Sequence, residues 1–229
     1  MEGNFYVLEG IDGSGTTTQV ERLCAWFRGL GLAAKGTREP TGGPIGSMIR
    51  QVLTHRLVVP GVTGPRPPGW RTMAALFAAD RLDHLDSEIL PNLHDGVNIV
   101  SDRYDLSSLA YQSVTSDEGH AEEAIAWIRS LNAYARRPDL TIILDVPASV
   151  AAERRNHRGG TAELFETDDL QSRLAEAYLK AELLLPGDEV VHIDATAPID
   201  EVTARVIGAV KAFRERGRAN ASSGPRSRV

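Results

Sequence analysis

The sequence is poor in cysteine and aromatic residues and has no long apolar run. Its single cysteine, Cys24 among 229 residues, rules out an internal disulfide and fits a reducing cytoplasm. Cys24 falls in the apolar stripe of a helical pattern, where it reads as a small core residue. No apolar stretch approaches the roughly 20 residues that a spanning helix needs, and the first residues show no basic, then apolar, leader pattern. Excess positive charge is missing too. Lys and Arg total 25 against 31 Asp and Glu, and the net charge of −6 argues against general nucleic-acid binding. No internal repeat is evident. The absence with the greatest consequence is one lysine in a motif that otherwise asks for it.

With 42% hydrophobic and 24% charged residues, the chain can bury a full core as one large domain. It is organised around Gly10, Ile11, Asp12, Gly13, Ser14, Gly15, Thr16 and Thr17. An apolar run, Phe5 to Leu8, precedes this stretch and a helical pattern from about 17 to 30 follows it. Strand, glycine loop and helix in that order are the setting a phosphate-binding loop needs. Glycines let successive backbone N–H groups point inward, and the helix N-terminus adds its own positive end. The pattern G-x-x-x-x-G-K-[ST] asks for Lys where this chain has Thr16, while Thr17 keeps the hydroxyl that would reach a magnesium ion.

Strand-like runs occur at 4–9, 32–37, 97–102, 140–146 and 189–194. Helical patterns occur at 17–30, 44–54, 71–91, 119–135, 166–184 and 199–216. Their alternation predicts an α/β fold with a parallel sheet and right-handed crossovers, and ligands at the carboxyl ends of the strands. Residues 57–70, with four prolines and three glycines, read as a surface loop. Residues 1–216 read as one domain and 217–229 as a disordered basic tail.

Several segments carry candidate chemistry, each with a plainer alternative. Asp12 could bind a sugar hydroxyl or a magnesium-bound water, or only stabilise its turn. Arg38, after the second strand, could fork onto a phosphate or pair with Glu39 at the surface. Phe77 and Arg81 share a helical face, suited to a base with its phosphate or to a core ring beside a snorkelling arginine. Asp102, Arg103 and Tyr104 follow a buried strand, and Asp102 is placed for a second magnesium contact opposite Thr17. Ser107, Ser108, Tyr111 and Gln112 share one helical face and could meet a base edge or solvent. Arg154, Arg155 and Arg158, ahead of Gly159 and Gly160, suit a flexible lid of about 153–166 or a solvated charge run. His157 lacks companions for a metal site.

In this order and at this spacing, the stretches 9–19, 37–46, 76–85, 102–112, 137–154 and the lid into Phe165 and Glu166 resemble the thymidylate kinase family of P-loop kinases. The resemblance covers about residues 4–213. It implies a five-stranded parallel sheet flanked by helices on both faces, and transfer of the γ-phosphoryl group of ATP to dTMP with Mg²⁺. A homodimer is implied, with neither nucleic acid nor membrane as partner. By position it puts Gly10–Thr17 on ATP, Thr17 on magnesium and Asp12 near the acceptor sugar and phosphate. Phe77 would stack on thymine, and Arg81 would touch the base and the acceptor phosphate. Arg38 and Arg103 would hold that phosphate, with Arg103 bridging to ATP. Ser108, Tyr111 and Gln112 would line the nucleoside pocket, and Arg154, Arg155 and Arg158 would cover the ATP end. One lid arginine is expected to fill the place of the missing lysine. The rival readings are a kinase for another pyrimidine nucleotide or nucleoside, and a nucleotide-binding protein that lost catalysis with its lysine.

Overall fold

The computed structural model describes residues 2–116, 121–158, 164–165 and 167–222; the side chains of 158 and 220–222 are outside that description. Five strands, β1 Phe5–Glu9, β2 Ala34–Arg38, β3 Asn98–Asp102, β4 Leu140–Asp145 and β5 Val190–Asp194, form one sheet in the order β2-β3-β1-β4-β5. Every pairing is parallel, with Leu8 opposite Asp102 and Glu9 opposite Ile143. All residues of β1 and β3 are buried, as expected of strands covered on both faces. Side chains alternate between the faces. Tyr6 and Leu8 pack with Val20, Leu23, Cys24, Phe27, Val202 and Val206, whereas Phe5 and Val7 pack with Leu85, Ile89 and Leu93.

The helices are α1 Thr16–Gly29, α2 Pro44–Leu53, α3 Trp70–His84, α4 Leu90–His94, α5 Asp105–Val114, α6 Ala121–Leu131, α7 Ala148–Arg158, α8 Asp168–Tyr178, α9 Ala181–Leu184 and α10 Ile199–Ser222. Helices α1 and α10 cover one face of the sheet. Neighbouring strands on either side of β1 receive the chain from different crossovers, so the crevice at its carboxyl end is the natural ligand site of this topology.

The structure departs from the sequence reading in several places, among them the helix expected over 119–135, which is described as Ala121–Leu131. The helix expected over 71–91 begins at Trp70 and is broken by a π-helical stretch, Leu85–Ile89. Pro91 follows at once, and its missing N–H explains why regular α-geometry gives way there. The 166–184 helix is two pieces, α8 and α9. Helix α5 bears out the helical face read for Ser107, Ser108, Tyr111 and Gln112. The arginine cluster, read as flexible, lies on regular helix α7 as far as Arg158. The final helix passes 216 and runs to Ser222, so the expected tail begins as helix; residues 223–229 lie outside the description. Residues 57–69 hold no helix, only an isolated bridge between Val59 and Arg66. The expected lid is described in part: 159–163, Glu166 and the Arg158 side chain lie outside.

Candidate active site

The loop between β1 and α1 is shaped by its glycines. Gly13 and Gly15 have φ of 95° and 100°, a region that side chains with a Cβ avoid. The first turn of α1 has no acidic residue and no side-chain cap, so its free N–H groups face the cleft unneutralised. The Ser14 hydroxyl is buried without a hydrogen-bond partner. Gly13, Ser14, Thr16 and Thr17 therefore stand where a polyanion would satisfy the loop, whereas Gly10 is buried and does not line the cleft. A cleft of about 660 Å³ opens over it, lined by Ile11–Gln19, Arg38, Asp102, Arg154 and Arg155 and by the turn after β5.

Asp12 is the hub of this cleft. Its carboxylate accepts hydrogen bonds from the Arg103 guanidinium at 2.7 Å, the Tyr111 hydroxyl at 3.0 Å and the Gln171 amide at 3.0 Å. Its own N–H donates back to Gln171 Oε1 at 3.1 Å. Arg103 has φ of 71°, rare for a residue with a side chain. Two main-chain bonds hold it there: its N–H donates to Leu8 O at 2.9 Å, and its carbonyl accepts from the Ser101 hydroxyl at 2.7 Å. Burial opposes the charge of Arg103, but Tyr111, Asp12, Tyr178 and Glu9 outweigh that and hold its pKa well above the ordinary guanidinium value.

Glu9, wholly buried at the end of β1, supports the same corner. It accepts from the N–H groups of Tyr104 and Ser107 and from the hydroxyls of Ser107 and Tyr178. Burial pushes its carboxyl up to about 7, against the opposing pull of Arg103 and these hydrogen bonds.

At the end of β3, Asp102 Oδ2 accepts from the Thr17 hydroxyl at 2.5 Å, while Oδ1 is buried with no partner. An orphaned carboxylate oxygen beside a hydroxyl is the hard-oxygen donor pair that a magnesium ion takes. Among the described residues no group of three ligating side chains occurs. Magnesium tolerates this, because water and phosphates complete its shell.

A second, smaller pocket of about 100 Å³ adjoins the cleft. It is lined by Pro40, Leu53, Phe77, Arg81, Tyr104, Ser107, Ser108, Tyr111, Gln112 and Phe165. Asp12, Glu39 and Arg103 line both spaces and so form their common wall. Arg81 is 1% exposed and is held by Glu39 at 2.7 Å, Asn132 at 2.6 Å, the Tyr104 carbonyl at 3.0 Å and Ser108 at 3.2 Å. Gln112 is buried with its amide oxygen unpartnered. Phe165 stands edge-on to Tyr111 at 5.4 Å, and the N–H of Leu164 donates to Leu53 O at 2.9 Å.

The structure thus brings Asp12, Arg38, Arg103, Thr17, Asp102, Arg154 and Arg155 to one cleft and Phe77, Arg81, Ser108, Tyr111 and Gln112 to its neighbour. Arg38 does not pair with Glu39: Glu39 is buried on Arg81 and His84, leaving Arg38 exposed at the cleft. Sequence reasoning missed Gln171 and Tyr178, seven apart on one face of α8, because polar groups on an amphipathic helix look solvated. It gave no role to Glu9, nor to Asp80, which fixes the loop after β2 through the N–H and hydroxyl of Thr41. A carboxylate closing an apolar strand was the available signal for Glu9.

A parallel five-stranded sheet, a glycine loop before α1, and a Thr–Asp pair between the start of α1 and the end of β3 define a P-loop nucleotide kinase. Comparison with known proteins narrows the class. A family model described as thymidylate kinase matches residues 8–206. The chain is 39% identical over 214 residues to the thymidylate kinase of Bifidobacterium longum, covering 92% of this chain and 98% of that one. It is 36% identical over 211 residues to a protein of Pyrococcus horikoshii named probable thymidylate kinase, covering 92% and 97%. The chain belongs to the thymidylate kinase family.

Proposed function

We propose that the protein transfers the γ-phosphoryl group of ATP to dTMP, giving ADP and dTDP. The observation that carries this reading is the wall shared by the two pockets, with Arg103 and Asp12 on it. A donor in the cleft and an acceptor in the smaller pocket would meet there, and a group could pass directly between them. Relatives named thymidylate kinase support the choice of acceptor.

In this reading the loop N–H groups and the α1 N-terminus hold the donor phosphates. Thr17 and Asp102 would hold Mg²⁺, which when bound would neutralise charge on those phosphates. Phe77 stacks on the base, and Gln112 and Ser108 meet its edge. Arg81, fixed by Glu39 and Asn132, presents a rigid cationic wall. Arg38 and Arg103 hold the acceptor phosphate, and Arg103 reaches the transferred group. That phosphate loses its second proton near pH ~6, so it attacks already ionised and needs no general base. Catalysis then rests on positioning and on positive charge around the moving group. The segment at Leu164 and Phe165 roofs the acceptor and keeps water from competing for the γ-phosphoryl group. We place this activity in a homodimer and in a reducing cytoplasm, which the single buried Cys24 suits.

The test is ADP release from Mg-ATP with dTMP, dUMP, dCMP, thymidine or no acceptor. Strong stimulation by dTMP, above the other acceptors, is the expected result. ATP binding without turnover on any acceptor would overturn the reading.

A further inference from the structure

The charge that the motif places at position 16 is absent, and Thr16 is itself 7% exposed, filling its site with an uncharged side chain. Helix α7 lies against this loop from outside. The approach is so close that a Cβ on Gly13 would stand 2.5 Å from the Ala151 carbonyl and 3.1 Å from Arg155 Cγ. Ala151 is fully buried, so a small residue on each side makes the contact possible.

That packing sets two guanidinium groups on the cleft, and they differ. Arg154 is shared between the loop and the turn after β5: Nη2 donates to Ala195 O at 2.8 Å, and Nη1 makes only a long bond, 3.5 Å, to Ser14 O. Arg155 is turned onto the loop. Its Nη1 donates to Asp12 O at 2.6 Å, and its side chain is only 9% exposed. Among the described residues its ion-pair partner is Asp168 at 3.6 Å, which is 89% exposed and therefore screened. The Arg155 charge is thus close to the loop and weakly neutralised.

We propose that Arg155 supplies, from α7, the phosphate-facing positive charge that position 16 lacks. This rests on the cleft being the ATP site. The charge normally built into the first turn of α1 is relocated to a neighbouring helix, and its bond to the Asp12 carbonyl ties that helix to the loop. A guanidinium suits the task because it keeps its charge on burial and can bond the loop and a phosphate at once. The donor site is complete only when α7 is docked on Gly13.

The test compares wild type, Arg155→Met, and Arg155→Met with Thr16→Lys, reading Mg-ATP affinity by calorimetry and dTMP-dependent turnover separately. Methionine keeps the packing against Gly13 and removes the charge. One unit charge at about 4 Å is worth on the order of a thousandfold in rate, so Arg155→Met should lose that much turnover and bind Mg-ATP more weakly. Adding Thr16→Lys should recover most of both, a rescue that a merely structural role for Arg155 would not give. Unchanged ATP affinity and turnover in Arg155→Met, or no recovery with Thr16→Lys, would overturn the proposal. If wild type binds Mg-ATP but turns over no acceptor, the functional reading fails, while the affinity comparison still decides the role of Arg155.

Discussion

The cleft and the pocket beside it are built on opposite plans. The cleft is wide and made chiefly of backbone: glycines, free N–H groups and a helix end, with Ser14 Oγ and Asp102 Oδ1 left without partners. The pocket is small and made of side chains, most of them fixed by one another: Arg81 is held by four groups, while Gln112 Oε1 is left without a partner. A main-chain cradle recognises phosphate whatever is attached to it, so a donor cleft can be general. A rigid pocket of fixed polar groups selects one shape, which is what an acceptor site needs. Arg103, on the wall between them, belongs to both plans.

Replacing Arg103 tests that dual membership and should have the largest effect. Arg103→Ala should lower kcat by about a hundred- to a thousandfold, the loss typical of removing one donor to transition-state charge. Steady-state kinetics with each substrate varied should show kcat/KM falling for both. A loss confined to one substrate would assign Arg103 to one side only. Gly13→Ala attacks the cleft alone. The new Cβ would meet the Ala151 carbonyl at 2.5 Å with φ at 95°. Strain of about 1–3 kcal/mol is expected, seen as a lower Tm and weaker Mg-ATP binding. Phe77→Ala attacks the pocket alone. Loss of stacking worth about 1–3 kcal/mol should raise KM for dTMP by roughly five- to a hundredfold while KM for ATP stays constant.

The smallest effect concerns the corner beneath both sites. Glu9 is raised from 4.5 to about 7 in the folded protein. The folded state therefore keeps a proton that the unfolded chain has lost, and the associated stability is full below pH 4.5 and lost as pH rises through about 7. Glu9→Gln removes that titration, so Tm followed over this interval should decline less in the variant than in wild type. Parallel curves would mean that Glu9 titrates normally.

The two plans also explain what the sequence revealed. The cleft was legible because its parts are contiguous, from Gly10 to Thr17, and because β1 and β3 carry near-unbroken apolar runs. Asp102 could be placed because a carboxylate ends the second of those runs. The pocket was legible only as separate faces, Phe77 with Arg81 and Ser108 with Gln112, each equally good as core or surface. Gln171 and Tyr178 were hidden because their partners Asp12 and Glu9 lie about 160 residues or more away in sequence. The docking of α7 was hidden for another reason. Six charged residues between 153 and 166 suggested mobility, whereas the contact that orders the helix is between Gly13 and Ala151, which have almost no side chain to read.

The central claim is direct transfer across the shared wall, with both substrates bound together. Initial rates measured over a grid of ATP and dTMP concentrations test it most directly. Intersecting double-reciprocal lines, with no ADP–ATP exchange when dTMP is omitted, are the predicted result. Parallel lines with exchange in the absence of dTMP would show a phosphorylated enzyme between two separate half-reactions and would contradict the account.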